Sequence, residues 1–218
     1  MSTRVKTWVL CGVAALAVLL VFFRGELSML LAGRRPDAEA ARLVRELEIA
    51  NGDTVAEIGS GKGALTVAVA RALPASRVYS TELDPERLAD TRRAVGRASL
   101  KNVEVREAAV DGTNLPDGCC RAIFMRTVYH HFTSPPVMLA ALHRSLAPGG
   151  RLGIIELQPR GMWRWVPGAE GTPDRGGHGV AIDRLREEVT RSGRFTHVRT
   201  VESWAGPLYL MVFERNQR

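Results

Sequence analysis

From residue 37 onward the apolar positions switch repeatedly between a helical and an extended period. In residues 37–49, Ala40, Leu43, Val44 and Leu47 recur at helical spacing, with Arg42, Arg45, Glu46 and Glu48 on the opposite face. Asp37 is the candidate N-cap, and Asn51-Gly52 supplies the stop. Short apolar runs at 54–58, 77–83, 103–108, 121–128 and 151–157 read as strands, and amphipathic stretches at 64–73, 85–99 and 136–146 read as helices between them. This alternation predicts an α/β protein with a mostly parallel sheet and helices on both faces. The end of the chain differs: a helix at 182–192 is followed by extended runs at 195–203 and 208–214, parted only by Trp204-Ala205-Gly206-Pro207. Strands joined by so short a turn must run antiparallel, so the last of seven strands is expected to be reversed.

Ahead of this pattern, residues 8–23 (WVLCGVAALAVLLVFF) carry no charge and are flanked by Arg4 and Lys6 on one side and Arg24 on the other. As a helix they would extend about 24 Å, short of a hydrocarbon core of about 30 Å, and residues 27–32 can lengthen the span if Arg24 and Glu26 reach the interface. An N-terminal hydrophobic helix acting as an uncleaved membrane anchor is the preferred reading. A cleaved signal peptide is the rival, but Arg24-Gly25-Glu26 offers no small-residue cleavage site and Ala38-x-Ala40 comes late. A buried soluble helix is the third reading. The expected division is therefore an anchor or signal-like segment at 1–35 and one domain at 36–218.

Composition adds little beyond this. With 45% hydrophobic and 24% charged residues in 218, the chain is neither disordered nor polytopic. Arg4, Lys6, Arg24, Arg34 and Arg35 against Glu26 alone concentrate more than half of the +7 formal charge in the first 35 residues. The remaining basic residues are arginines scattered along the chain, with only Lys62 and Lys101 as lysines, which argues against nucleic-acid binding. Cys11, Cys119 and Cys120 cannot build a disulfide framework and lack the spacing of a metal site, so a reducing compartment and no metal are expected.

The first strand runs directly into Glu57-Ile58-Gly59-Ser60-Gly61-Lys62-Gly63, and a helix follows. Glycines there let the backbone turn sharply and approach a ligand, while the helix N-terminus offers free N–H groups. About twenty residues on, Glu82 ends the second strand, where a carboxylate can accept both hydroxyls of a ribose. A dinucleotide site prefers G-x-G-x-x-G, whereas Ala64 and Leu65 follow Gly63 here, and Glu57 would repel phosphate and suit a cationic ligand.

These residues resemble the class I S-adenosylmethionine-dependent methyltransferases over about residues 37–215. VAEIGSGKG at 55–63 is similar to that family's first motif, VYSTELDPERL at 78–88 to its second strand, and LPDGCCRAIFMRTVYHHF at 115–132 with LHRSLAPGGRLGIIE at 142–156 to its fourth strand, fourth helix and fifth strand. The resemblance implies a Rossmann-like seven-stranded sheet, S-adenosylmethionine as cofactor, and methyl transfer to a small or lipid-like acceptor. It places the methionine part at Glu57, Gly59, Ser60, Gly61 and Gly63, and the ribose at Glu82. An adenine-side acid falls on Asp111, where strand three ends Glu107-Ala108-Ala109-Val110-Asp111 in place of a plain Gly-Asp. Arg121 stands where the family often opens strand four with an acid. Because the cofactor is made in the cytosol, the domain is expected to face the cytoplasm. A non-catalytic S-adenosylmethionine-binding or scaffolding protein of the same fold is the alternative, and nicotinamide redox chemistry is a third.

Methyl transfer needs the nucleophile held on axis and water excluded, with a base only for an O–H or N–H acceptor. Tyr129, His130 and His131 follow strand four at the carboxyl edge, where open α/β sheets bind ligands, and are the candidate catalytic residues. His178 in Gly176-Gly177-His178-Gly179 reads as a loop histidine in preference to a lid tip, His143 and His197 as surface or edge residues, and Cys119-Cys120 as space filling. Residues 160–167 alternate arginine and tryptophan, a mixture that touches headgroups or admits an apolar substrate, or else covers the core.

Overall fold

The structure, a computed structural model, describes residues 35–175 and 177–217. In chain order the elements are α1 (Pro36–Glu46), β1 (Thr54–Ile58), α2 (Ala64–Ala72), β2 (Arg77–Glu82), α3 (Pro85–Arg97), β3 (Val103–Glu107), β4 (Cys120–Arg126), α4 (Pro135–Ser145), β5 (Leu146–Leu157), α5 (Ile182–Thr190), β6 (Phe195–Ala205) and β7 (Leu208–Arg215). One seven-stranded sheet in the order β3-β2-β1-β4-β5-β7-β6 contains all the strands. β1 pairs parallel with β2 and β4, and β7 runs antiparallel to both β5 and β6. The expected reversed last strand is therefore present.

Successive residues of the central strands face opposite sides of the sheet, which divides the core in two. Ala56, Ile123, Met125, Leu152 and Ile154 pack with Leu139, Leu142, Leu185 and Val189 of α4 and α5. Val55, Phe124, Ile155 and Val212 pack with Leu43 of α1, Leu47 at its C-cap, and Leu65 and Val69 of α2. Helices on both faces follow from these near-continuous apolar runs, since a parallel strand must be covered twice.

Several local expectations are corrected. α1 starts at Pro36, so Asp37 lies inside its first turn and Arg35 occupies the cap; proline at the first helical position tolerates the missing N–H. β5 begins five residues before the expected Arg151, because Leu146 already pairs with Cys120 across a register shift. His143 is buried, within hydrogen-bonding distance of the Asn216 carbonyl at 3.0 Å and edge-on to Phe195. Cys119 and Cys120 are joined to each other in a vicinal disulfide. The hydrophobic segment at 8–23 lies outside the described residues; among those described, no helix is long and apolar enough to cross a membrane.

Candidate active site

A cleft of about 740 Å³ opens at the carboxyl edge of β1, β2 and β4. Its floor is the turn after β1. Gly59, Gly61 and Gly63 all hold left-handed φ, at 72°, 58° and 78°. The Gly59 and Ser60 N–H groups both donate to the Thr81 carbonyl, at 2.8 and 3.0 Å, which presses the turn against β2. A Cβ on Gly59 would come within 2.5 Å of a Val128 methyl, and one on Gly63 within 3.0 Å of the Thr91 backbone, whereas one on Gly61 would meet open space. Gly59 and Gly61 line the cleft, and Gly63 instead seats the turn on α3. Ser60 also lines the cleft, and its hydroxyl, 3.1 Å from that of Thr91, braces the turn. Gly59→Ala is expected to cost about 1–3 kcal/mol of stability, because left-handed strain adds to the Val128 clash; chemical denaturation checks this.

Two carboxylates define the charge of the cleft. Glu57 on β1 is buried, accepts a hydrogen bond from the Thr66 hydroxyl, and has its pKa raised to about 7. Burial is the main cause; Glu39 and Glu82 add to it, while the Thr66 hydroxyl and Arg126 oppose it. Glu82 ends β2 and is held by three backbone donors: Gly61 N–H to Oε2 at 2.6 Å, and the Leu83 and Asp84 N–H groups to Oε1 at 2.9 and 3.1 Å. That grip fixes the carboxylate; Oε2 keeps a lone pair for a ligand, while Oε1, already accepting twice, takes a further donor only by sharing or exchange.

The far wall departs from expectation at Asp111. Ala108, Ala109, Val110 and Gly112 line the cleft, but Asp111 does not; its side chain is exposed. Ala109 and Gly112 pair across a tight turn, which leaves Val110 and Asp111 at the tip. Leu83 faces the cleft from the end of β2.

The histidine region after β4 is also rearranged relative to the sequence reading. Tyr129 is fully buried and outside the cleft lining; its hydroxyl donates to Glu188 of α5 at 3.1 Å, and Arg175 lies over its ring at 5.4 Å while pairing with Glu188 at 2.9 Å. Burial and Glu188 push its phenol far above the ordinary range, so it serves as a brace for the loop after β5 and not as a base. His130 is buried as well, its Nδ1 2.8 Å from Glu156 and its Nε2 without a hydrogen-bonding partner. Glu156 also accepts from the His130 and Leu157 N–H groups, at 3.2 and 2.7 Å. His131 alone of the three lines the cleft. His178, read from sequence as a loop residue, packs edge-on against His130 with ring centroids 4.5 Å apart, and His130 and His131 are 4.0 Å apart. Burial first, and the neighbouring His130 next, lower the pKa of both His131 and His178, so both imidazoles are neutral at physiological pH. Val128, Phe132 and Met138 add an apolar wall beside His131.

Sequence reading missed two contributors to this site. Pro36 and Glu39 bring the start of α1 to the cleft, where Glu39 Oε1 accepts from Arg126 at 2.9 Å and from the Trp204 indole at 2.8 Å. Glu156 lies at the end of an apolar strand whose last carboxylate gave no sign of facing His130. Among the described residues, no cluster of His, Cys, Asp and Glu side chains is placed to hold a metal.

Comparison with known proteins agrees with this geometry. Residues 56–154 match the family described as "Methyltransferase domain". The chain is 31% identical over 107 residues to a demethylmenaquinone methyltransferase of Thermus thermophilus, covering 48% of this chain and 47% of that one. It is 33% identical over 122 residues to a protein-L-isoaspartate O-methyltransferase of Myxococcus xanthus, covering 56% and 53%. The chain thus spans about half the length of the curated relatives it matches. Among solved structures, a SAM-dependent methyltransferase from Aquifex aeolicus has the same fold, with a TM-score of 0.70 at 21% identity over 87% of this chain and 97% of that one.

Proposed function

We propose that this chain is a class I S-adenosylmethionine-dependent methyltransferase and moves a methyl group from that cofactor to a small or lipophilic acceptor. The observation that carries the reading is the pairing, in one cleft, of a buried carboxylate suited to a cation with a second carboxylate clamped by three N–H groups. The residues fit the cofactor on structural grounds: Glu57 has no full counter-charge, Gly61 leaves open space over the turn, and Leu83 with Val110 supplies apolar surface for a base. Glu57 would face the ammonium and sulfonium, and Glu82 the ribose hydroxyls. When bound, the cofactor supplies a methyl on positively charged sulfur, which leaves with the sulfur keeping the bonding electron pair.

The chain's own contribution is positioning, exclusion of water and, for an O–H or N–H acceptor, a base. His131 holds that place: it faces the cleft, is neutral, and accepts the acceptor's proton at a ring nitrogen. His130 and Glu156 stand behind it as positioning residues. His131→Gln is expected to lower kcat about 100-fold with unchanged affinity for S-adenosylhomocysteine, and wild-type kcat is expected to fall as pH drops below the ordinary histidine range. Incorporation of labelled methyl into an acceptor panel measures both; an unchanged kcat in the variant would remove His131 from the mechanism. Mass spectrometry of ligand retained on purification, followed by thermal-shift titration with S-adenosylhomocysteine, tests the reading as a whole.

The same reading assigns residues 1–35 to a single-pass anchor built on 8–23, and 36–218 to the catalytic domain, facing the cytoplasm where the cofactor is made. The two curated relatives are named for different acceptors, a demethylmenaquinone and a protein isoaspartate, so the acceptor is argued from this chain's own surface.

A further inference from the structure

Among the described residues five large apolar side chains are strongly exposed, and four of them stand at one edge of the molecule. Leu83, 51% exposed, follows β2; Val110, 62%, lies in the loop after β3; Val137, 45%, is in the first turn of α4 after β4; and Trp165, 86%, is in the loop after β5. All four follow carboxyl ends of parallel strands, and so share the sheet edge at which the cleft opens: Leu83 and Val110 line the cleft itself, while Val137 and Trp165 lie outside its lining; the fifth, Val198, is on edge strand β6. The two tryptophans of the loop after β5 part company. Trp163 packs against the core cluster of α1 and stacks near His178, with ring centroids 5.8 Å apart, whereas Trp165, next in the chain to the exposed Arg164, is itself exposed. An indole left almost fully in water is costly in solution and favourable at a headgroup boundary.

The chain enters the domain at this same edge. α1 begins at Pro36, which lines the cleft, and the uncharged run 8–23 ends thirteen residues earlier at Phe23, with Arg24, Arg34 and Arg35 in the connection. Thirteen residues reach at most about 45 Å extended and about 20 Å as a helix. A bilayer holding 8–23 would therefore keep the domain within about 45 Å of its surface, tethered at the edge that carries the cleft.

We propose that the carboxyl edge of the sheet docks on a phospholipid bilayer, with Trp165 and Val137 seated at the headgroup boundary and Leu83 and Val110 at the rim, so that a lipid-dissolved acceptor passes into the cleft without crossing water. The acceptor route rests on the methyl-transfer reading; the docking itself does not. The arrangement deepens that reading by naming the acceptor's class, an apolar molecule dissolved in the membrane.

The test uses the full chain reconstituted in phosphatidylcholine vesicles whose acyl chains are brominated close to the headgroup, beside vesicles of the unbrominated lipid. The emission difference between wild type and Trp165→Phe isolates Trp165. Docking predicts that this difference is quenched by the brominated lipid, and that Val137→Ser weakens the quenching. Vesicle-bound protein whose Trp165 emission is unquenched overturns the proposal, as does a chain that fails to float with the vesicles or a Trp165 contribution buried against a second copy of the chain. S-adenosylhomocysteine binding is measured in parallel: its loss in wild type would sink the methyl-transfer reading while leaving a quenched Trp165, and the docking, in place. Trp165→Phe should keep wild-type affinity for it, since Trp165 lies outside the cleft lining.

Discussion

Glu82→Gln is expected to weaken binding of S-adenosylhomocysteine by about 100-fold, and Glu82→Ala by about 1000-fold. A carboxylate accepting two ribose hydroxyls makes charge-assisted hydrogen bonds worth about 1.5–3 kcal/mol each. An amide keeps one acceptor oxygen and presents an N–H₂ group where the second hydroxyl must donate. The alanine variant loses both, together with the anchor for the Gly61, Leu83 and Asp84 N–H groups, so part of its loss comes from a loosened turn. The glutamine variant loses less of the turn's anchor than alanine, because its one oxygen still accepts from the Gly61 side or the Leu83 side while its N–H₂ faces the remaining donors. Isothermal titration measures the affinity, and circular dichroism confirms that the sheet is intact. Wild-type affinity in Glu82→Gln would mean that the ribose is not held at the end of β2.

What could be read from sequence divides along a physical line. Elements stabilised by their own periodicity were legible: β1 has the bounds that its apolar run suggests, and α2, α3, α5 and β7 differ from expectation only at their ends. The turn 57–63 was legible because glycine at positive φ is a local requirement, written directly in the sequence. Asp111, Tyr129 and His178 were not, because their roles depend on how loops fold back. Asp111 is turned outward by the Ala109–Gly112 pair, Tyr129 is drawn into the core by Glu188 from α5, and His178 is brought to His130 by a loop pinned through the Val180 N–H to the Leu157 carbonyl at 3.0 Å. Glycine at 179 is what lets that loop pass, since a Cβ there would lie 2.3 Å from the Leu157 carbonyl oxygen. The Tyr129 and His178 contacts join residues distant in the chain, and no short window along the sequence contains both partners; the Ala109–Gly112 pair is local, but its residues carry no turn signature that distinguishes Asp111 facing the cleft from Asp111 at the tip. Residues 160–167 show the same limit: a repeated Arg-Trp pattern gave one expectation for both indoles, and packing sends Trp163 to the core and Trp165 to solvent.

Glu57 makes the second large prediction, because its charge opposes folding and serves binding. Its carboxyl has a pKa raised from 4.5 to about 7 by burial, with Glu39 and Glu82 adding to the rise and Thr66 and Arg126 opposing it. The native state therefore holds this proton more tightly than the unfolded chain, so the group's contribution to stability falls as pH rises from about 4.5 and reaches its full cost above about 7. That cost is about 3 kcal/mol. Glu57→Gln removes the charge, so it should raise Tm at about pH 8 and leave it nearly unchanged at about pH 4.5, where wild type is already protonated. Binding runs the other way. An ammonium brought beside Glu57 favours the ionised carboxylate and lowers its pKa, so binding releases a proton and wild-type affinity for S-adenosylhomocysteine, which keeps the ammonium but not the sulfonium, should fall below about pH 7 by at most tenfold per unit. In Glu57→Gln that slope should vanish and affinity should be low throughout. Calorimetry in buffers of different ionisation enthalpy counts the released proton directly. A wild-type affinity flat between about pH 6 and about pH 8, or the same slope in the glutamine variant, would detach Glu57 from the cofactor's positive end. A variant that is more stable in alkaline solution yet binds poorly is the signature of a carboxylate kept in an apolar site for a cation that arrives later.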